Sequence, residues 1–253
     1  MRFASLGSGS RGNATLVEAG ATLVMIDCGF SCRATEQRLA RLGRTPQELT
    51  ALLVTHEHGD HLRGIVPLAR KYNLPVWLTR GTRQTLQDDN LPLIQYFDGH
   101  SGFTIGDLQV QPFTVPHDAR EPCQFAFEDG SRRFGMLTDT GRSTPHIIEC
   151  LGGCDALLLE CNHDADMLAY GPYSTALKHR VGGPLGHLSN AQAGALLAQL
   201  DVSRLQHVVA AHISDKNNTP DLACKALAGV LDCAPDWVGV ADQETGLEWR
   251  AIS

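Results

Sequence analysis

Long apolar runs are missing from this sequence, and none approaches the ~20 residues that a membrane-spanning helix needs. The opening stretch Met1-Arg2-Phe3-Ala4-Ser5-Leu6-Gly7-Ser8-Gly9 has no sustained apolar segment, so no secretory signal is expected there. Both absences lead to the expectation of a cytoplasmic protein with no membrane partner. An excess of positive charge is also missing. The formal net charge is -7 over 253 residues, which argues against a protein that coats nucleic acid through a broad basic face. A local basic groove is still compatible with that balance. No biased tract, repeat or linker interrupts the chain, so residues 1–253 are expected to form one domain. Nothing here marks an oligomeric state. The eight cysteines lack zinc-ribbon spacing, although Cys28/Cys32 and Cys150/Cys154 share a gap. In a reducing compartment most of them read as small buried apolar residues.

The hydrophobic pattern is that of an ordinary globular chain. Residues 3–6, 14–17 and 22–26 read as strands separated by turn-rich stretches at 7–13 and 18–20. Helical spacing over 33–42 stops at Gly43, and Arg38 and Arg41 on one of its faces read as solvated charges. A buried strand at 51–55 precedes a helix at 62–72, a strand at 76–79 and a weak helix at 82–88. The period then becomes two over 108–115, 124–128 and 133–138, which predicts an antiparallel meander. Beyond it come a strand at 156–159, two helices with the second at 191–200, and a strand at 207–211. A helix after Pro220 and a closing hairpin near Trp237 and Trp249 complete the pattern. Two strand-rich halves, each with outer helices, predict an α/β fold: a four-layer αββα sandwich.

The chemistry concentrates in Thr55-His56-Glu57-His58-Gly59-Asp60-His61. A helical metalloprotease motif needs a second histidine four residues after the first. Asp60 stands there instead, behind Gly59, so that reading fails. On extended backbone His56 and His58 point the same way, and Asp60 and His61 reach a second point beyond the glycine turn. One stretch can therefore serve two adjacent cations through imidazole nitrogen and carboxylate oxygen. Further candidates end predicted strands: His117 after Val115-Pro116, Asp139 after Leu137-Thr138, and His212 after 208–211. Singly, each is as readily a satisfied structural residue as a ligand.

Together, His56-x-His58-x-Asp60-His61 followed by His117, Asp139 and His212 resembles the metallo-β-lactamase-fold hydrolases over nearly the whole chain. The resemblance implies two divalent ions, zinc first and manganese or iron as alternatives. It places His56, His58 and His117 on one ion and Asp60, His61 and His212 on the other, with Asp139 bridging and Asp27 orienting a ligand. A metal-activated hydroxide is then the nucleophile, with Asp60 among the catalytic groups.

The fold hosts many reactions, so the substrate must be read elsewhere. Ser189 with Gln192 forms a capping-box pattern, which sets His187 in the loop before a helix N-terminus, a natural anion site. That segment resembles the histidine-serine stretch of ribonuclease Z-type phosphodiesterases, where the histidine assists the phosphate transition state. Glu160, at a strand end, resembles its partner. A capping-loop histidine without catalytic part is the plainer alternative. Closer still, Gly7-Ser8-Gly9-Ser10-x-Gly12-Asn13, Pro116-His117-Asp118-Ala119, Glu160-x-Asn162-His163-Asp164, Gly186-His187-Leu188-Ser189-Asn190 and His212-Ile213-Ser214 with Asn217-Asn218 look like the YycJ/WalJ-type branch, regarded as DNA exonucleases. Cys161 departs from it where a small residue such as serine is expected.

These resemblances make DNA the expected substrate. Ser8, Ser10, Asn13, His163, Lys178, Arg180, Ser189 and Asn217 become candidate substrate contacts, although ordinary surface or turn roles fit the same residues. Arg120, Arg142 and Lys216 stand beside ligand positions and read the same two ways. Two other readings compete: a small-molecule hydrolase acting on a cyclic phosphodiester, thioester or lactone, and a non-catalytic metal-stabilised module.

Overall fold

The computed structural model describes residues 1–86 and 91–253. The first sheet takes β1 (Arg2–Gly7), β2 (Ala14–Ala19), β3 (Thr22–Ile26), β4 (Ala51–Leu53), β5 (Pro75–Leu78) and β6 (Leu93–Tyr96). The second takes β7 (Phe103–Ile105), β8 (Leu108–Thr114), β9 (Cys123–Glu128), β10 (Arg133–Leu137), β11 (Ala156–Glu160), β12 (His207–Ala211) and β13 (Gly239–Val240). The last strand, β14 (Leu247–Ala251), returns to the first sheet beside β1. Each sheet joins an antiparallel half to a parallel half: β1 to β3 and β7 to β10 are meanders, while β3 to β6 and β10 to β13 run parallel.

Strict alternation along the strands builds the layers. In β3, Val24 and Ile26 face the second sheet, while Leu23 and Met25 meet the outer helices. The outer layer on that side holds α1 (Cys32–Arg41), α2 (Gly59–Leu62), α3 (Ile65–Tyr72) and α4 (Arg80–Arg83). On the far side stand α5 (Pro145–Leu151), α8 (Asn190–Leu197) and α9 (Pro220–Leu231), packed through Ile147, Leu196 and Leu227. The short helices α6 (Ala165–Tyr170) and α7 (Thr175–Val181) lie between β11 and α8 in the chain, and α7 buries no residue. Between the sheets Phe3 stacks on Phe134 with centroids 4.4 Å apart. This is the four-layer αββα sandwich.

Several expectations need correction. The helix at 62–72 is two, α2 and α3: the Gly64 N–H donates to the Cys28 carbonyl at 2.6 Å instead of to the preceding turn, and a Cβ there would meet the Phe30 carbonyl oxygen at 2.1 Å. Gly59 begins α2 rather than blocking a helix. No closing hairpin pairs the last strands: β13 joins β12 and β14 joins β1, so the chain crosses between the sheets around the Asp242–Gly246 bridge. Arg38 is partly buried rather than solvated, while Arg41 is exposed as expected but also tied to main-chain carbonyls. Carbonyls left over at the end of β1 and in the 243–244 loop recruit both, and Arg38 donates to Leu6 at 2.7 Å and Glu244 at 2.8 Å. The weak helix at 82–88 reduces to the single turn α4, and its Gln87 and Asp88 lie outside the described residues.

All eight cysteines are free and six are buried. Burial pushes the Cys28 and Cys123 thiols up to about 12. Among the described residues, no helix is long and apolar enough to cross a membrane. Phe134→Ala should cost about 3–5 kcal/mol of stability by opening a cavity between the sheets. Urea denaturation measures this, and an unchanged midpoint would contradict the packing.

Candidate metal centre

In both sheets the parallel strands end at one rim, where α/β folds commonly hold ligands. Asp27 follows β3, His56 lies just past β4, Asp139 just past β10, Glu160 ends β11, and His212 follows β12. Asp27, Asp139 and His212 have φ of 62°, 53° and 52°, a left-handed conformation that is uncommon outside glycine. Each turns the chain sharply off its strand. Glu160 secures one of these bends, accepting from the main-chain nitrogens of Asp139 at 3.0 Å and Thr140 at 3.2 Å.

Hydrogen bonds behind the cluster decide which imidazole nitrogens face into it. His61 Nδ1 donates to Asp27 Oδ2 at 2.7 Å, and Thr55 Oγ1 gives its proton to the same oxygen at 2.8 Å. Thr55 Oγ1 must then accept from His56 Nδ1, 2.9 Å away. His117 Nδ1 donates to the Gly186 carbonyl at 3.1 Å, and His58 Nε2 to that of Asp118 at 3.3 Å. The inward atoms of these rings are therefore His56 Nε2, His61 Nε2, His117 Nε2 and His58 Nδ1. His58 Nδ1 and His117 Nε2 stand 3.1 Å apart, two lone pairs facing each other in the neutral rings. His61 Nε2 is 3.2 Å from Asp139 Oδ2, and His212 Nδ1 is 3.2 Å from Asp139 Oδ1.

The donor set fits divalent cations. His56, His58 and His117 converge as one group, and Asp60, His61 and His212 as another. Among the described residues, buried His56 Nε2 has no hydrogen-bond partner, which is costly for a protein group alone. Among the described residues, four carboxylates, those of Asp27, Asp60, Asp139 and Glu160, form ion pairs only with histidines. Burial lowers the pKa of His56 well below its ordinary value. Burial would do the same to His61 and His212, but the Asp139 carboxylate overrides it and raises both. Protons hold the charge balance that cations would take over.

A different arrangement surrounds Glu160. Burial pushes its pKa up, yet the His187 charge and hydrogen bond outweigh this and hold it at about 2. His187 Nδ1 donates to Glu160 Oε1 at 2.8 Å, and Leu188 N to Oε2 at 3.0 Å. With four donors Glu160 is saturated and orients His187, whose ring borders an open cleft of about 360 Å³ together with Asp60, Asp139 and His212.

Residues 22–213 match the beta-lactamase superfamily domain. The chain is 35% identical to exodeoxyribonuclease YycJ of Bacillus anthracis, over 92% of this chain and 89% of that protein. It is 32% identical to exodeoxyribonuclease WalJ of Streptococcus pneumoniae, over 94% and 91%. The crystal structure of the metallo-β-lactamase-fold protein YhfI of Bacillus subtilis superposes with a TM-score of 0.76 at 18% identity, covering 99% of both chains. The chain belongs to the metallo-β-lactamase superfamily. It is a hydrolase of that fold, in the branch that holds YycJ and WalJ.

In this metallo-β-lactamase-fold enzyme the expected substrate contacts divide. Ser10 and Arg180 line the cleft. Ser8 and Asn13 are buried scaffolding instead: Ser8 Oγ accepts from His212 N at 2.9 Å and donates to Asn13 Oδ1, while Asn13 N donates to the Asp60 carbonyl at 2.8 Å. Ser189 caps α8 through the predicted capping box. Lys178 turns back to the Ala169 carbonyl, Asn217 is wholly buried beside Ser214, and His163 is buried where its strand segment bridges to Ser189. None of these last three lines the cleft. Most main-chain donors around the α8 N-terminus are already engaged. The main-chain N–H groups of His187, Leu188, Ser189 and Asn190 are all taken by protein acceptors.

Sequence reasoning assigned no role to Asp118, Thr55 or Tyr173, although the first two stand inside quoted motifs. Asp118 and Thr55 each adjoin a candidate ligand, a usable signal, whereas nothing local marks Tyr173 as lining the cleft. Asp27→Asn keeps the shape and tolerates the left-handed backbone, but presents an amide to donors. It should weaken zinc binding about 10–100-fold, read by competition with a chromogenic chelator. Unchanged affinity would remove Asp27 from the ligand support.

Proposed function

We propose that this protein is a dinuclear metal-dependent phosphodiesterase that degrades DNA from an end, in the cytoplasm. Zinc is the first candidate ion, and manganese and iron suit the same mixed ligands. His56, His58 and His117 would hold one ion, Asp60, His61 and His212 the other, with Asp139 between them. Cations bound there supply an activated water and polarise the phosphoryl group.

The observation that carries the reading is the His187–Glu160 pair on the cleft wall. With Nδ1 committed to Glu160, His187 turns Nε2 toward the cleft, where it stabilises a phosphate oxygen or hands a proton to the leaving oxygen. The names carried by YycJ and WalJ support DNA as the polymer.

A second reading, hydrolysis of a small cyclic phosphodiester, thioester or lactone, draws on the charge of -7 and on Arg180 as the one lysine or arginine that lines the cleft among the described residues. Salt separates the two, since turnover of DNA falls steeply as salt rises and turnover of a neutral ester does not.

Purified protein with zinc or manganese should shorten end-labelled DNA, and chelation or His56→Ala should abolish this. His187→Ala should lower kcat about 10²–10⁴-fold with metal content intact. Metal-replete protein inert toward DNA, RNA and bis-p-nitrophenyl phosphate would overturn the proposal.

A further inference from the structure

Asp118 and Arg180 form a unit across the cleft that the phosphodiesterase reading leaves unused. Arg180 Nε donates to Asp118 Oδ2 at 2.7 Å. That short charge-assisted bond fixes a side chain which is otherwise 60% exposed. Its helix, α7, buries no residue fully, and the Val181 carbonyl at its end accepts from His187 N at 2.8 Å. Among the described residues, the two terminal Nη groups of Arg180 make no hydrogen bond. A guanidinium aimed through Nε with both Nη groups open is a fork for a phosphate.

Asp118 also touches the ligand cluster. Its carbonyl oxygen accepts from His58 Nε2, and its Oδ1 lies 3.5 Å from that atom and 3.6 Å from His117 Nε2. The carboxylate thus stands between Arg180 and the histidines. A phosphate reacting over the cluster meets that negative group on one side, so the guanidinium beyond it is placed for a neighbouring phosphate.

We infer that Arg180 forms a second phosphate subsite, taking the first phosphate inward from the scissile one, and that Asp118 is the positioning residue that aims it. The inference rests on the phosphodiesterase reading and adds the polymer requirement: a substrate must present two successive phosphates to bind fully. A single phosphodiester engages only half of the cleft.

The test uses DNA in which that inward linkage is a neutral methylphosphonate, so the change lies in the substrate and not in the fold. Wild-type kcat/KM should fall about tenfold or more on this DNA, the scale of a lost charge-assisted contact. Arg180→Ala should lose as much on ordinary DNA, should no longer distinguish the two substrates, and should lose far less on bis-p-nitrophenyl phosphate. Arg180→Lys should not rescue, since it lacks the fork. Asp118→Asn should weaken DNA turnover in the wild-type background and add little to Arg180→Ala. Arg180→Ala protein that still discriminates against the methylphosphonate would overturn the subsite. Additive losses from Asp118→Asn and Arg180→Ala would overturn the positioning role. Failure of wild-type protein on both DNA and bis-p-nitrophenyl phosphate would instead strike the phosphodiesterase reading.

Discussion

Asp139 lies 2% exposed among histidines, and among the described residues no lysine or arginine reaches it. An enclosed carboxylate without a fixed positive partner is strongly unfavourable, so the surrounding groups have to answer it. The carboxylate raises the pKa of His61 and His212, and these two histidines hold the Asp139 carboxyl well below its ordinary range despite burial. The same demand suits a pair of divalent cations. Much of the architecture at the rim serves this one group. Glu160 pins its bend, Asp27 holds His61 against it, and Ser8 anchors the main chain of His212.

The fold makes such a meeting possible through repetition of one arrangement in two sheets. Each sheet passes from an antiparallel meander to parallel strands, and the parallel strands finish at a common edge. Polar residues placed immediately after a strand can therefore face one another across the sandwich without entering its core. Three left-handed turns let Asp27, Asp139 and His212 leave their strands abruptly. Such positions hold strain, which the dense hydrogen bonding around them stabilises. Glycine is needed where chain segments nearly touch behind the site: a Cβ on Gly29 would sit 1.7 Å from the Asp60 carbonyl oxygen.

Much of this was legible in the sequence, because strand period and ligand spacing are local signals. His56, His58, Asp60 and His61 announce themselves within six positions, and Ser189 with Gln192 marks the start of α8. The meander over β8 to β10 shows its period of two directly. What was not legible depends on which of several equivalent polar residues the tertiary structure recruits. Ser8, Asn13 and Asn217 have the composition of a substrate loop, yet they are buried supports. Arg38 and Arg41 have the spacing of a solvated face, yet stray carbonyls far along the chain claim them. The route of the chain between β13 and β14 was hidden for a similar reason. Two short strands near two tryptophans look like a hairpin until β1 and β12 compete for them.

On the proposed reading the site separates into a part that would make a nucleophile and a part that would select what is attacked. The first is dense and buried, and its residues come from strand ends. The second lies on more exposed ground, with Glu160 and His187 at its root and Arg180 and Asp118 at its mouth. The claim on which both parts depend is that the histidine and aspartate cluster carries a pair of ions around Asp139. Elemental analysis of protein saturated with zinc and then freed of excess metal tests it most directly. Two ions per chain in the wild type, falling in Asp139→Asn, is the result the account predicts. One ion or none per chain in the wild type, or two retained without the Asp139 carboxylate, would contradict it.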